Sequence, residues 1–144
     1  MVVVFVVVRQ PAVPTPREKA AAALDRLDGA LKSADGKALL DTLAVPAAVR
    51  ERTTAEQNEF VRKALADELS AEGIRVLARE GQFGPLAVVF SNEAERWAGA
   101  AGVSVAECVA FRLAKNGVVA EVAVATNGTP RVIRCNNVKQ MAGL

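Results

Sequence analysis

The chain has 144 residues, with 18 Lys and Arg, 16 Asp and Glu, and no His. Hydrophobic residues make up 51% and charged residues 24%, which is typical of a globular protein and excludes a disordered one. A net charge of +2, with 4% aromatic residues and no Tyr, gives nucleic acid little to bind, so we predict no nucleic-acid partner. The length predicts one main domain.

The absence of histidine removes the commonest general base and the commonest metal ligand together. The two cysteines, Cys108 and Cys135, make a poor zinc set without His, and a Cys–His nucleophile pair is excluded. The sequence contains no phosphate-binding loop or other cofactor motif. We therefore predict no catalytic residue, no metal site and no cofactor, and an enzyme is the less favoured class.

The chain begins with an unusual apolar run. Residues 2–8 read Val-Val-Val-Phe-Val-Val-Val, and a proline-rich stretch follows over 10–16. The run is far shorter than the roughly 20 residues that a membrane-spanning helix needs. Two interpretations stay open: a β-strand in a cytoplasmic protein, or the end of a longer membrane anchor with an extended spacer in an extracytoplasmic one. We divide the chain into this segment, 1–16, and a single α+β domain, 17–144.

The N-terminal half of the domain predicts helices. Thr15–Glu18 is a capping-box sequence, and apolar residues at helical spacing follow it. A short second helix must stop before Pro46. Thr53–Glu56 is a second capping box that opens a long third helix, with Gly73 after its end. The predicted apolar faces are Ala20, Leu24, Leu27 and Leu31 on the first helix and Phe60, Val61, Ala64, Leu65 and Leu69 on the third.

The stretch after Gly73 predicts two strands and one short helix. Residues 74–79 and 86–90 are short apolar runs that flank a loop containing Gly and Pro, so each predicts a strand. A short helix is expected around Trp97, with its end near residues 99–102.

Two Asn-Gly pairs, at 116–117 and 127–128, lie between apolar β-branched runs, which is typical of two-residue hairpin turns. They predict a three-stranded antiparallel meander over about 105–115, 118–126 and 129–138. Together with the helices, this predicts an α+β fold. N-terminal helices pack on one face of a curved antiparallel sheet that ends in the meander.

The register of the meander places three charged residues abreast on one sheet face. Two-residue turns put Glu121 between Arg112 and Arg134, so the row keeps one unit of positive charge. Such a row is more often a solvated face with good cross-strand pairing. Should the domain bind a ligand, we expect a small anion or a carboxylated molecule there. The residues expected to hold it are Arg112, Glu121, Arg134 and Asn136.

The same register separates the two cysteines. Cys108 falls opposite Ala125 and Cys135 opposite Ala120, two strands apart and on opposite faces of the sheet. Their Cα atoms cannot then approach within the roughly 7 Å that a disulfide requires. We predict no disulfide and expect two buried thiols.

The segment Leu27–Leu43, LDGALKSADGKALLDTL, resembles the opening of NTF2-like (cystatin-like) domains, where a helix, a break with Asp-Gly and a second helix follow one another. The resemblance covers about residues 15–140. It implies a sheet curled around a long helix to form a cone-shaped cavity, and many bacterial members are extracytoplasmic domains behind an N-terminal anchor. Enzymes of the family commonly use His, Asp or Tyr. His and Tyr are absent here, so the resemblance implies no catalytic residue.

Three functional hypotheses remain. The favoured one is a non-catalytic module that binds a small molecule or a protein partner. The second is a small pocket enzyme, an isomerase or hydrolase with an Asp or Glu base, which needs a carboxyl group of raised pKa in an apolar cavity. The third is a structural assembly subunit that exchanges residues 2–8 as a strand. A membrane tether through the N-terminus and a homodimer both stay open.

Overall fold

A computed structural model describes residues 13–33 and 36–143, so the apolar segment 2–8 and both interpretations of it lie outside the described residues. The helices are α1 (Pro16–Ser33), α2 (Gly36–Thr42), α3 (Ala47–Arg52), α4 (Ala55–Ala66), α5 (Ala71–Glu80), α6 (Leu86–Val89), α7 (Ala94–Ala101) and α8 (Val138–Met141). The strands are β1 (Gln82–Pro85), β2 (Cys108–Lys115), β3 (Val118–Ala125) and β4 (Arg131–Asn136). All four form one antiparallel sheet in chain order. None of these described helices has the length and apolar character that crossing a membrane requires.

The first two helices confirm their predictions. The Thr15 hydroxyl accepts a hydrogen bond of 3.2 Å from the backbone N–H of Glu18, and α1 begins at Pro16. Its predicted apolar stripe is buried throughout. The second helix ends at Thr42, before Pro46.

The predicted long third helix is two helices, α4 and α5. Thr54 caps α4, since its hydroxyl accepts from the N–H of Gln57 at 3.2 Å and its own N–H donates to the Gln57 side chain at 2.9 Å. This capping box lies one residue later than predicted. The Ser70 hydroxyl accepts from the N–H of Gly73 at 3.0 Å and starts a new helix. Gly73 therefore lies inside α5, and its predicted place after a helix is wrong.

The predicted apolar face of the third helix is only partly buried. Val61 and Leu65 pack against the core and Leu69 is buried, as predicted. Phe60 and Ala64 are exposed, so their predicted burial is wrong. Because successive helical residues are rotated by about 100°, Phe60 points away from the direction that buries its neighbour Val61.

The predicted strands at 74–79 and 86–90 are helical, so both predictions are wrong. Ile74 and Leu77 are buried three positions apart, which fits one face of a helix. In the second run, the first and last residues are buried four positions apart and Val88 between them is exposed. The predicted helix around Trp97 is confirmed as α7.

The first hairpin is confirmed. Asn116 and Gly117 both adopt positive φ, at 55° and 75°, which is what a type I′ turn requires. The register of β2 and β3 agrees with prediction, with Arg112 opposite Glu121.

The second hairpin has a longer loop than predicted. Gly128 has a positive φ of 71°, but Asn127 does not, so the two residues do not form a type I′ turn. Pro130 cannot donate to the ladder, and the N–H of Thr126 bonds to the carbonyl of Glu107 at 2.8 Å. Arg131 lies opposite the last residue of β3, and the register shifts again within the β3–β4 pair. The predicted register is therefore wrong by one residue near the loop and by two farther along.

The structure confirms the predicted α+β class, with N-terminal helices packed on one face of the sheet. The first core lies between that face and α1, α2, α5 and α8, around Phe111 and Val122. A second core on the other face is formed under α6 and α7, where Ala110 and Ala123 are fully buried. The sheet is thus covered, in part, on both faces.

Cys108 and Cys135 are both free and buried, and they lie in different cores. Cys108 lies opposite Ala125 as predicted, in the second core. Cys135 lies opposite Val122 and belongs to the first core; its predicted pairing with Ala120 is wrong because of the register shift.

Candidate functional site

The candidate site lies on the sheet face that carries α6 and α7. The backbone register sets Gln82, Arg112, Glu121 and Asn136 side by side, one residue from each strand. The predicted pairing of Arg112 with Glu121 is therefore confirmed. The predicted place of Arg134 opposite Glu121 is wrong, because the register shift moves Arg134 opposite Ala123 and brings Asn136 opposite Glu121.

The side chain of Arg134 nevertheless reaches Glu121. Its Nε and Nη2 atoms each lie 3.3 Å from one carboxylate oxygen of Glu121. Both side chains are only partly exposed, Arg134 at 40% and Glu121 at 28%. An arginine carries five N–H donors, so three donors of Arg134 remain free of this ion pair.

Trp97 holds the other side of the Arg134 guanidinium. The guanidinium carbon lies 4.6 Å from the centre of the indole ring, which is a cation–π contact. The indole itself is buried and packs against Phe90 at a centroid distance of 4.9 Å. Arg134 is thus fixed by a carboxylate on β3 and by a ring on α7.

Arg112 behaves differently from Arg134. Its side chain is exposed, and within the described residues it forms no ion pair with Glu121 although the two backbones are neighbours. The guanidinium of Arg112 is therefore available to an anion that comes to this face.

A cavity of about 310 Å³ lies beside Arg134. Its walls combine this guanidinium with the indole of Trp97 and with small or apolar side chains, so it has one charged edge and an apolar interior. Its lining consists of Ala44, Val45, Trp97, Ala100, Ala101, Ile133 and Arg134.

The two asparagines after Arg134 have different roles. Asn136 ends the row beside Glu121. Asn137 has a left-handed φ of 60° and starts α8. Its N–H donates to the Glu68 carboxylate at 2.6 Å, and its side chain donates to the carbonyl of Val119 at 3.2 Å. Asn137 therefore fixes the end of β4 and is not part of the site.

Two exposed carboxyl groups, Glu59 and Glu80, have a shifted pKa, and neither lines the cavity beside Arg134. Hydrogen bonding to Arg62 lowers the pKa of Glu59, and hydrogen bonding to Lys115 lowers the pKa of Glu80. A carboxylate base working near neutral pH needs a shift in the opposite direction. Within the described residues, no three His, Cys, Asp or Glu side chains converge as a metal site would require.

Sequence reasoning found the pairing of Arg112 with Glu121 because one local hairpin turn sets it. Asn136 lies opposite Glu121 because of the register shift between β3 and β4, which the sequence did not predict. Sequence reasoning placed Trp97 on a short helix and did not predict its contact with Arg134. That contact depends on how α7 lies across β4, and no local spacing in the sequence indicates it.

No family model, curated protein or solved structure matches this chain. The resemblance to NTF2-like domains therefore stays a prediction, and the site has to be interpreted from its own geometry.

Proposed function

We propose that this domain is a non-catalytic module that binds a small carboxylated molecule with an apolar body. The carboxylate lies against the free N–H edge of Arg134, and the body enters the cavity beside Trp97. The observation that carries the proposal is the guanidinium of Arg134, held from two sides and placed at the wall of an apolar cavity.

The free edge of Arg134 determines the kind of head group. Glu121 occupies Nε and one N–H of Nη2, which leaves three N–H groups, two of them parallel on the terminal nitrogens. Guanidinium groups bind carboxylates through such paired bonds. Because Glu121 and Trp97 already restrict the side chain, a ligand loses little binding free energy in ordering it.

Charge and volume support the same ligand class. On this part of the sheet face, Arg112 and Arg134 outnumber Glu121, and the resulting net positive charge favours an anion. The cavity volume of about 310 Å³ is at the small end of ligand sites, and its apolar lining favours a short alkyl or single-ring body.

The single tryptophan of the chain allows a direct test. We expect hexanoate to change Trp97 fluorescence in a saturable way, and hexan-1-ol, which lacks the charge, to bind much more weakly. Arg134→Gln should weaken hexanoate binding by about ten- to a hundredfold, the loss typical of a charged hydrogen bond. Arg112→Gln should weaken it only a few-fold, because Arg112 contributes through its charge.

Arg75→Gln is the matched control, since Arg75 is exposed on α5 and pairs with Glu72 away from the site. It should bind hexanoate like the wild-type chain. Equal affinity for hexanoate and hexan-1-ol, or unchanged binding by folded Arg134→Gln, would overturn the proposed site.

A further inference from the structure

An apolar groove lies between α3 and α4, and it shares no lining residue with the cavity of the proposed ligand site. It has a volume of about 640 Å³. Phe60 and Val49 stand at the groove with 76% and 51% of their surfaces exposed. Large side chains exposed together beside a groove mark an interaction surface more often than an incidental feature.

The packing of α4 keeps Phe60 in this position. Val61 turns toward the first core, and an N–H of Arg62 reaches the carbonyl of Leu31 at the end of α1, 3.4 Å away. Arg62 is itself paired with Glu59 on its own helix. These contacts fix the rotation of α4, so Phe60 cannot turn inward without breaking them.

The groove also carries two opposite charges. Arg52 and Glu56 both line it, and in the part of the chain that the structure describes neither forms an ion pair. Among the residues that the structure describes, Arg52 bonds only to the carbonyl of Ala48 on its own helix, at 3.1 Å. By contrast, the neighbouring Asp41 and Arg50 are paired with each other.

We propose that this face is the interface of a homodimer. A two-fold axis places the same patch on both copies, so any residue that contacts a second residue is contacted by it in return. Phe60 of each copy inserts into the groove of the other, beside Val49 and Val61. Arg52 of each copy then meets Glu56 of the other, which gives two ion pairs around an apolar centre.

A second copy fits this face better than an unrelated partner does. The patch contains a protruding ring together with a groove that can receive one, and a cation together with an anion. Both kinds of feature are complementary to themselves under a two-fold axis. A partner of a single charge would leave either Arg52 or Glu56 unpaired.

Sedimentation velocity of the full chain from micromolar to millimolar concentration tests the proposal. The wild-type chain should show a monomer–dimer equilibrium, and Phe60→Asp should weaken it at least tenfold. Val88→Asp is the matched control, because Val88 is 70% exposed on α6 and lies outside the groove. A monomer at every concentration would overturn the proposal.

Charge exchange tests the arrangement itself. Arg52→Glu and Glu56→Arg should each weaken the dimer, since each change brings like charges together. The double variant should restore it, because the pairs are re-formed with reversed charge. Failure of the double variant to recover would overturn the two-fold arrangement.

The segment 2–8 is the other candidate occupant of the groove. Val4→Lys with Val6→Lys in the full chain would disrupt an association that depends on that segment. Unchanged dimerisation by this variant supports the proposed interface, and its loss would assign the association to the segment and contradict the proposal. Since Arg134→Gln leaves the groove intact, failure of the ligand site would not alter any of these results.

Discussion

The chemical properties of a single side chain in this protein can depend on parts of the chain that are distant in sequence. The thiol of Cys135 is one example. This residue lies on β4 but is enclosed by the first core. Burial raises the pKa of its thiol to about 12, and the negative charge of Glu68 contributes to the same shift. The charged thiolate is therefore strongly disfavoured in the folded state.

This shift predicts a loss of stability at high pH. Below the unfolded pKa of about 9.0, the thiol is protonated in both states and contributes no pH dependence. Between about 9 and 12, only the unfolded chain loses this proton, so the free energy of unfolding falls by about 1.4 kcal/mol per pH unit. Urea unfolding at pH 8 and pH 10.5 should show that the wild-type chain loses about 2 kcal/mol more than Cys135→Ala does.

Cys108→Ala is the control for that experiment, because it retains the Cys135 contribution and should lose more stability with rising pH than Cys135→Ala. Burial raises the pKa of the Cys108 thiol as well. Equal pH dependence in the wild-type chain and Cys135→Ala would show that the Cys135 thiol is not protected by the fold.

Two glycines in helices that pack on the first core have opposite surroundings. A Cβ atom at Gly73, in α5, would lie 2.5 Å from the carbonyl oxygen of Val138, at the start of α8. A Cβ atom at Gly29, in the C-terminal third of α1, would meet nothing within 4 Å. The close approach of α5 and α8 therefore requires glycine, and the exposed face of α1 does not.

Alanine at these two positions should change stability in opposite directions. Gly29→Ala should raise the free energy of unfolding by about 0.5–1 kcal/mol, because alanine restricts the unfolded chain and favours helix. Gly73→Ala should lower it by about 1–3 kcal/mol, since backbone atoms must move apart. Chemical denaturation of both variants gives the comparison, and a change of the same sign in both would contradict the α5–α8 contact.

Helices and hairpins were predictable where their signals were local. Capping at Thr15 and the type I′ turn at Asn116 each depend on a few adjacent residues, and both are confirmed. The prediction of strands at residues 74–79 and 86–90 was wrong because short apolar runs fit a strand or a buried helix equally well. The prediction of a two-residue turn at Asn127 was wrong because Thr126 bonds to Glu107, and no local pattern indicates that bond.

In the candidate site, too, the contacts that depend on a local turn could be predicted and those that depend on long-range packing could not. Arg112 and Glu121 are neighbours because of one local turn, so their pairing could be predicted. The position of Arg134 depends on the register shift after the second turn, and its contact with Trp97 depends on the packing of α7. Long-range packing therefore decides the part of the site that holds the proposed ligand.

At the scale of the whole molecule, the single sheet contributes side chains to both cores. Phe111 and Val122 face the first core, and their neighbours Ala110 and Ala123 face the second. The short helices α6 and α7 have few residues of their own to bury, so their stability depends on the sheet. The two cores should consequently unfold together.

Unfolding followed by two probes tests this coupling. Trp97 fluorescence reports the second core, and far-ultraviolet circular dichroism reports mainly the longer helices of the first.

Leu27→Ala and Leu86→Ala remove fully buried side chains from the first and the second core, respectively, and each should lower the free energy of unfolding by about 2–5 kcal/mol. In each variant, the transitions followed by the two probes should have the same denaturant midpoint, lower than that of the wild-type chain. The reason is that the sheet is shared, so neither core stays folded when the other unfolds. Val88→Ala, which changes an exposed side chain of α6, should leave both midpoints nearly unchanged. Separate midpoints, with Leu86→Ala shifting the fluorescence transition alone, would instead establish the α6–α7 layer as an independent unfolding unit.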